Sequence, residues 1–485
     1  MATPSGFHAR RAALRLLDAV LRRGDTLELA GAAALADVRK PEDKALARAI
    51  AGEVLRWQAD LDALIDSATA RPLPPDAKAR TVLRLMLAQW LRLDTPPHAV
   101  LATGLELLSA GPRRLAHGVF STLTKREVSM PDAPTLPAAV AARWGERAEA
   151  IARGLAVPPP LDLTLRDAAD TARIATQLSA DSLAPGHLRL ARGDAVEKLP
   201  GFKDGGWWVQ DLAASLPARL LGQGKGRHVL DLCAAPGGKT MQLAAQGWQV
   251  TALDQSKRRI DLLKDNLKRT GLKAQPVRAN ALEWEPKHRF DAILLDAPCT
   301  ATGTARRHPD VLHRIGPRQI AEMAELQEAL IERAAGWLKP GGTLVYAVCS
   351  LEREEGEEQA AKVTLTPDPI RADELPAALE PTPEGWLRTD SGMLPEAGGL
   401  DGFFVARFRA ASPDYARFFT RSSRENHAMF DLPGFIALRA EQAGVGGFED
   451  LRCDTYADPQ RFFSYRRATH ERAADYGRLV SAIVL

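Results

Sequence analysis

Two cysteines occupy positions from which they could do chemistry. Cys299 ends the apolar run Phe290-Asp-Ala-Ile-Leu-Leu-Asp-Ala-Pro-Cys299, and Cys349 ends Leu344-Val-Tyr-Ala-Val-Cys-Ser350. Runs of this length and composition read as buried strands. A lone cysteine at a strand end is usually a small hydrophobe. Two of them, at corresponding ends of different strands, point to a thiol that attacks an electron-poor ring, since sulfur is nucleophilic even when only a few per cent is ionised. Asp296 stands just before Cys299, where a carboxylate can hold a base edge or handle a proton. A third stretch, Val229-Leu-Asp-Leu-Cys-Ala-Ala-Pro-Gly-Gly-Lys-Thr240, reads as strand, tight loop and helix. Gly237 and Gly238 permit close approach of a ligand to the main chain, and the helix after them offers free N–H groups. The loop lacks the spacing of the phosphate-binding P-loop and of the dinucleotide fingerprint. Asp254 ends the next apolar run, Val250-Thr-Ala-Leu-Asp254, where doubly wound folds place the acid that binds a ribose. A nucleoside-bearing cofactor follows from this pair. Cys233, inside the loop, reads as a structural residue.

These residues need a parallel sheet to bring them together. Strands are expected near 228–233, 249–254, 276–280, 290–296 and 342–349, with crossover helices near 238–247, 256–270 and 317–337. Ligands in such sheets sit beyond the carboxyl ends of the strands. An apolar helix at 212–221 precedes the first strand, and Gly205-Gly-Trp-Trp-Val-Gln-Asp211 leads into it, with tryptophans that read as buried packing. Farther upstream, residues 6–127 read as helices throughout, with Ala13, Leu16, Leu17, Val20 and Leu21 on one face of the first. Further helices fall near 43–56, 58–68, 78–93, 97–109 and 112–126, separated at Pro72-Leu-Pro-Pro75 and Pro96-Pro97. Between the breaks at 130–137 and Val157-Pro-Pro-Pro160 lies one amphipathic helix; a strand at 161–165, a helix at 168–179 and short strands near 187–200 form a small α+β insert.

Composition narrows the class. The chain carries 64 Lys and Arg against 61 Asp and Glu, a net charge of +3, so overall charge does not announce nucleic acid. Arg10, Arg11, Arg15, Arg22 and Arg23 crowd the first helix, and Lys78, Arg80, Arg84 and Arg92 a later one. By themselves such runs are usually solvated faces; the sharper reading is contact with RNA phosphates. The cysteines at 233, 299, 349 and 453 are too few and dispersed for a disulfide framework or a zinc site, which fits a reducing cytoplasm. No run is long and apolar enough for a membrane span, and the start lacks the regions of a signal peptide.

Asp231-Leu-Cys-Ala-Ala-Pro-Gly-Gly-Lys-Thr240, Asp296-Ala-Pro-Cys299 and Tyr346-Ala-Val-Cys-Ser350 resemble, in order, the three motifs of the RNA cytosine-5 methyltransferases. Ala51-Gly-Glu-Val-Leu-Arg-Trp57 and Pro97-His-Ala-Val100 resemble the NusB-like RNA-binding domain of the RsmB (Sun/Fmu) branch, which acts on small-subunit (16S) ribosomal RNA. The likeness spans about 6–410 and closes on Leu400-Asp-Gly-Phe-Phe-Val-Ala406. It implies an α/β enzyme: an all-α NusB-like bundle at 1–130, a linker helix and α+β insert at 131–200, and a Rossmann-like methyltransferase domain at 201–410.

The resemblance also assigns roles. Cys233, Ala234, Ala235, Pro236, Gly237, Gly238 and Lys239 would bind S-adenosylmethionine, with Asp254 on the ribose, Asn280 near the adenine and Asp296 near the methyl donor. Cys349 would add to C6 of cytosine, and Cys299 would assist loss of the C5 proton and release of the enzyme. The base would leave its stack to react, which looped RNA makes easy. Arg306, Arg307 and His308 would face RNA phosphates, and the same likeness favours the RNA reading of the basic helices. Asn280 stands where relatives usually carry aspartate, and Thr300-Ala-Thr replaces a more usual Ser-Gly-Thr. The enzyme is expected to be a cytoplasmic monomer that needs no metal and works on ribosomal RNA; the alternatives are tRNA or another RNA as substrate, or a non-catalytic RNA-binding factor. DNA cytosine-5 enzymes would instead make Cys299 the attacker. From 411 to 485, Phe430-Asp-Leu-Pro-Gly-Phe435 and Asp454-Thr-Tyr-Ala-Asp-Pro-Gln-Arg-Phe-Phe-Ser-Tyr-Arg-Arg467 resemble the C-terminal part of YfiH-type laccase-domain proteins. This reads as a partial α+β module without catalysis of its own, and His427, Cys453 and His470 do not match a standard metal site.

Overall fold

The computed structural model describes residues 6–191, 193, 195–422 and 428–442. The chain falls into two compact units, residues 1–410 and 411–485. His427, Cys453 and His470 lie outside the described residues.

The first unit opens with seven helices: α1 (Phe7–Arg23), α2 (Leu27–Ala34), α3 (Pro41–Arg56), α4 (Gln58–Ser67), α5 (Lys78–Arg92), α6 (Pro97–Gly104) and α7 (Ala110–Lys125). The apolar stripe of α1 is fully used, since Ala13, Leu16, Leu17 and Val20 are all buried. Gly24 ends α1 in the left-handed region at φ 73°, where a residue without Cβ is unstrained. Pro41 starts α3 and Pro97 starts α6, the one helical position where a missing N–H costs nothing. α2 was not anticipated. Its run Leu27-Glu-Leu-Ala-Gly-Ala-Ala-Ala34 is short and rich in small residues, and Thr26 caps it by accepting the N–H of Leu29.

Next comes the linker, two helices rather than one: α8 (Ala138–Trp144) and α9 (Ala148–Leu155). The break is Gly145 at φ 53°. β1 (Leu161–Leu165), α10 (Thr171–Leu178), β2 (His187–Leu190) and β3 (Trp207–Val209) then build a small antiparallel sheet in the order β2-β1-β3. Trp207 and Trp208 are therefore in a strand, opposite Leu165 and Thr164, and both are buried.

After α11 (Leu212–Arg219) the chain alternates: β4 (His228–Leu232), α12 (Gly238–Ala245), β5 (Gln249–Asp254), α13 (Lys257–Thr270), β6 (Gln275–Arg278), β7 (Phe290–Asp296), α14 (Val311–Arg314), α15 (Pro317–Gly336) and β8 (Leu338–Val348). α16 (Glu357–Lys362), β9 (Thr366–Pro367), β10 (Leu387–Thr389) and β11 (Phe403–Arg409) complete the unit. The main sheet runs β10-β11-β8-β7-β4-β5-β6, with β9 beside β11. β8, β7, β4, β5 and β6 are parallel, as expected, but β9, β10 and β11 join antiparallel, so the whole sheet is mixed. Strand order reverses between β4 and β7. There the loops after the two strands diverge and leave the crevice in which such folds bind ligands.

In the second unit the described residues form α17 (Pro413–Ala416), the antiparallel pair β12 (Phe419–Arg421) and β13 (Ala428–Phe430), and α18 (Leu432–Gln442).

Candidate active site

The crevice between β4 and β7 is walled by the loop after β4. Cys233 sits in the left-handed region at φ 62°, unusual for a residue with a Cβ, and Gly237 at φ 108°. Ala234, Ala235, Pro236, Gly238, Lys239 and Asp296 line one cavity of about 430 Å³, together with Trp208, Gln210 and Arg269. Packing and backbone together explain Gly237, where a Cβ would meet Leu263 at 3.1 Å, whereas a Cβ on Gly238 would only touch Gln210 at 3.7 Å.

Asp254 and Asn280 are not on this wall. Asp254 is buried, and its carboxylate accepts the N–H of Ala235 at 3.2 Å and of Ser256 at 2.8 Å. It thus fastens the loop after β4 to the end of β5. Oδ2 also pairs with Arg259 at 3.4 Å. Asn280 is spent locally, accepting from Leu282 N–H and donating to Glu283, which closes the turn after β6.

The cysteines meet. Asp296 pairs in register with Ala347, so the chains leaving β7 and β8 emerge side by side, and Cys299 Sγ lies 3.4 Å from Cys349 Sγ. The carbonyl of Cys349 accepts the N–H of Gly303 at 3.0 Å, which ties the two loops once more. Lys239 Nζ donates to Asp296 Oδ2 at 2.7 Å and lies 5.2 Å from the centre of the Phe403 ring. Burial works against the ammonium, but the charges of Asp296 and Cys349 outweigh it and hold Lys239 above its ordinary pKa. A cation therefore faces both the aspartate and the second cysteine.

Cys299 has its pKa well above the usual thiol value because it is hydrogen-bonded to Cys349, and because burial and the charges of Cys349 and Glu355 add to this. Two adjacent thiols cannot both ionise readily. Burial first, then the carboxylates of Asp296, Asp254 and Asp231, push Cys233 up to about 12. Such a thiol is inert, in keeping with a structural role. Asp231, fully buried at the end of β4 and hydrogen-bonded by Thr240, is raised to about 7 by its desolvation.

The basic residues after Cys299 do not face outward as expected. Arg306 is 1% exposed and is held by Asp211 and Asp401 at 2.6 Å each; Arg307 binds the same two carboxylates at 2.7 and 2.9 Å. Together they form a buried charge cluster, and only His308 of the three is exposed. Basic residues of the helical bundle are also paired, some buried and some at the surface. Arg80 and Arg84 are buried against Asp62 and Asp66, Arg92 binds Glu53 over the face of Trp57, Arg10 binds Gln89, Arg15 binds Asp37, Arg22 binds Asp18 and Arg23 binds Asp25. Charge runs in sequence could not show that the acids facing Arg80, Arg84 and Arg92 lie on other helices.

The acidic stretch Leu351-Glu-Arg-Glu-Glu-Gly356 behind Cys349 is not itself a helix. α16 begins later, and Glu352 and Glu355 are buried. Glu352 binds Arg143 and the indole of Trp144, joining α8 to the loop after β8. The signal was available: acids directly behind a cysteine at a strand end lie at the ligand side of the sheet.

The fold and this site define a Rossmann-like methyltransferase carrying a helical bundle in front. Comparison with known proteins narrows the class. The family description "16S rRNA methyltransferase RsmB/F" matches residues 218–409, the NusB family matches 8–114, and "Multi-copper polyphenol oxidoreductase laccase" matches 395–485. The last match begins ahead of β11 and so overlaps the methyltransferase sheet. Ribosomal RNA small subunit methyltransferase B of Klebsiella pneumoniae subsp. pneumoniae is 35% identical over 401 residues, covering 76% of this chain and 90% of that protein. The protein of the same name from Xanthomonas campestris pv. campestris is 35% identical over 433 residues, 84% of this chain and 98% of its own. The chain belongs to the RsmB/F family of 16S rRNA methyltransferases, with the small subunit methyltransferases B as its relatives. Among solved structures, that of PH0851 shares the fold, with a TM-score of 0.62 and 24% identity over 84% of this chain and 99% of that one. NSun6 from Pyrococcus horikoshii with SFG shares it less fully, at a TM-score of 0.50 and 19% identity over 57% and 98%. Among the described residues no helix is long and apolar enough to cross a membrane.

Proposed function

We propose that this enzyme methylates C5 of a cytosine in small-subunit ribosomal RNA, with Cys349 as the nucleophile and Cys299 as its partner in proton transfer, and that it acts as a monomer in the cytoplasm. The observation that carries the reading is the approach of the two thiols to 3.4 Å beside the Lys239–Asp296 pair. One cysteine would be enough to attack. A second within contact distance serves the later half of the reaction.

In this mechanism the Cys349 thiolate bonds to C6, and the electron pair of the C5–C6 double bond moves to C5. The Ala234–Lys239 loop and Asp254 would hold S-adenosylmethionine, which would supply an electrophilic methyl group to C5 as its bond to the sulfonium sulfur breaks and the sulfur leaves as a thioether. Cys299 then handles the proton that leaves C5, as the C6–S bond breaks and the double bond reforms. Lys239 balances the negative charge that collects around Asp296 and Cys349, and Asp296 is placed to hold the polar edge of the base. The loop suits the cofactor because Ala234, Ala235, Pro236 and Gly238, all small or compact residues, line the cavity.

Incubating wild type, Cys299→Ala and Cys349→Ala with unmodified small-subunit ribosomal RNA and S-adenosylmethionine tests this. On denaturing gels Cys299→Ala should accumulate a protein–RNA adduct and turn over at least 100-fold more slowly, in line with the loss of a proton-transfer group. Cys349→Ala should give neither adduct nor 5-methylcytosine. Methylation by Cys349→Ala would reverse the roles and reject the assignment.

A further inference from the structure

Glu355 is 0% exposed, and its carboxylate touches both cysteine loops. Oε2 accepts the backbone N–H of Thr300 at 2.9 Å and the amide of Gln327 at 2.9 Å. Oε1 accepts the hydroxyl of Thr300 and that of Ser350, the latter at 2.7 Å. Gln327, from α15, also donates to the carbonyl of Pro298 at 2.8 Å. Thr300 after Cys299 and Ser350 after Cys349 thus bond to one side chain, and Pro298 before Cys299 is joined to it through Gln327. Tyr346 fixes the backbone beneath it by donating to the Glu355 carbonyl at 2.5 Å.

Such a group is not there to activate the thiols. Its charge acts on Cys299 in the unhelpful direction, raising the pKa, and a carboxylate without a cationic partner among its hydrogen-bond donors is costly to bury. What four converging donors provide is geometry: a carboxylate that accepts from backbone and side chains of two loops fixes the distance between them. We propose that Glu355 is a positioning residue that holds Cys299 and Cys349 in contact, acting through Thr300, Ser350 and Gln327 and touching no reacting atom. The proposal rests on the two-cysteine reading above for its catalytic consequence, though not for its geometric one.

The donors at Oε2 are N–H groups and cannot reverse, whereas those at Oε1 are hydroxyls and can accept instead. Glu355→Gln can therefore keep the whole arrangement, with its carbonyl toward Thr300 N–H and Gln327 and its amide toward the hydroxyls. Glu355→Ala releases both loops, and Glu355→Asp shortens the arm so that it cannot span them.

The closing experiment reads the thiol distance directly. Diamide takes two electrons and two protons from a pair of thiols, being reduced to the hydrazine as one S–S bond forms, and peptide mapping follows the Cys299–Cys349 disulfide. In the purified full-length enzyme, wild type and Glu355→Gln should oxidise at rates within about threefold of each other, and Glu355→Ala at least tenfold more slowly. In parallel, kcat for methylation should fall at least 100-fold in Glu355→Ala, with the Kd for S-adenosylmethionine unchanged, and be largely restored in Glu355→Gln. If Glu355→Ala does not fold by circular dichroism, Glu355→Asp takes its place with the same expected pattern. Disulfide formation at the wild-type rate in the Ala or Asp variant overturns the proposal, as does a Gln variant no better than Ala. Slow oxidation with undiminished methylation would leave the positioning role standing and sink the two-cysteine mechanism instead.

Discussion

Arg306 shows how one residue can be read in opposite ways. A phosphate-binding arginine must reach solvent, but here the guanidinium lies between Asp211 and Asp401 and also donates to the carbonyl of Gly398 at 2.9 Å. Burial and repulsion from Asp211 raise the pKa of Asp401, so the two acids tolerate each other only with the arginines in place. Removing one partner of a buried ionic cluster leaves uncompensated charge, at a cost of about 3–5 kcal/mol. Arg306→Met should lose stability of this order by urea denaturation, with a clear fall in melting temperature. A phosphate contact would behave differently, with unchanged stability and a shallower salt dependence of RNA binding. Stable Arg306→Met protein with weakened, less salt-sensitive binding would restore the outward-facing reading.

At the scale of elements, the stretch after Cys299 is pinned by close backbone packing. Gly303 donates to the Cys349 carbonyl, accepts from Gly402 N–H at 2.7 Å, and has no room beside it: a Cβ would stand 2.0 Å from the Gly402 carbonyl oxygen. Backbone on both sides cannot give way as a flexible side chain can. Gly303→Ala should destabilise the protein by about 1–3 kcal/mol, as overpacking does, and lower methylation far more than stability, because the displaced segment carries Cys299. Gly52 is the control. It lies within α3 with nothing within 4 Å of its Cβ position, so Gly52→Ala should leave activity alone and raise stability by up to about 1 kcal/mol. Equal loss of activity in both variants would show that the loop packing at Gly303 is unimportant.

Across the first unit, the helical bundle is coupled to the catalytic sheet through α14 and the residues before it. Arg56 donates to the Arg306 carbonyl at 2.8 Å, Leu27 N–H reaches Asp310, and His313 Nε2 lies 2.7 Å from the carbonyl of Leu55. A carbonyl can only accept, so Nε2 carries a proton. Burial, with a smaller contribution from Arg84, holds His313 below its ordinary value of 6.5, against the hydrogen bond to Leu55 and the charges of Asp310 and Asp62. The unfolded chain then binds the extra proton first, so this contact contributes fully above about pH 6.5 and its contribution declines as the solution is acidified. Wild-type melting temperature should fall from pH 7 to pH 5 by more than that of His313→Gln, whose amide N–H can still reach Leu55. Parallel curves for the two proteins would remove His313 from the coupling.

The sequence by itself determined the parallel strands of the sheet and the strand ends at which Cys299 and Cys349 stand. Apolar runs ending in Asp254, Asp296 and just before Cys349 must become buried strands, and glycines after β4 must open a loop, because local pattern alone dictates both. The helices of the bundle followed for the same reason, from an apolar stripe and proline breaks. α2 escaped because small residues give a weak stripe, and the Trp207-Trp208 strand because it is short and pairs with a distant partner, β1. What only the tertiary structure decided was the fate of charge. Whether Arg80, Arg306 or Glu355 meets solvent or a buried partner depends on residues brought near by folding, such as Asp62, Asp211 or Thr300. Hydrophobic periodicity is a property of one segment, whereas an ion pair or a shared carboxylate belongs to two or three segments at once. The placing of Cys299 against Cys349 is of that second kind: the strand ends were legible, but their contact was set by the register of β7 on β8.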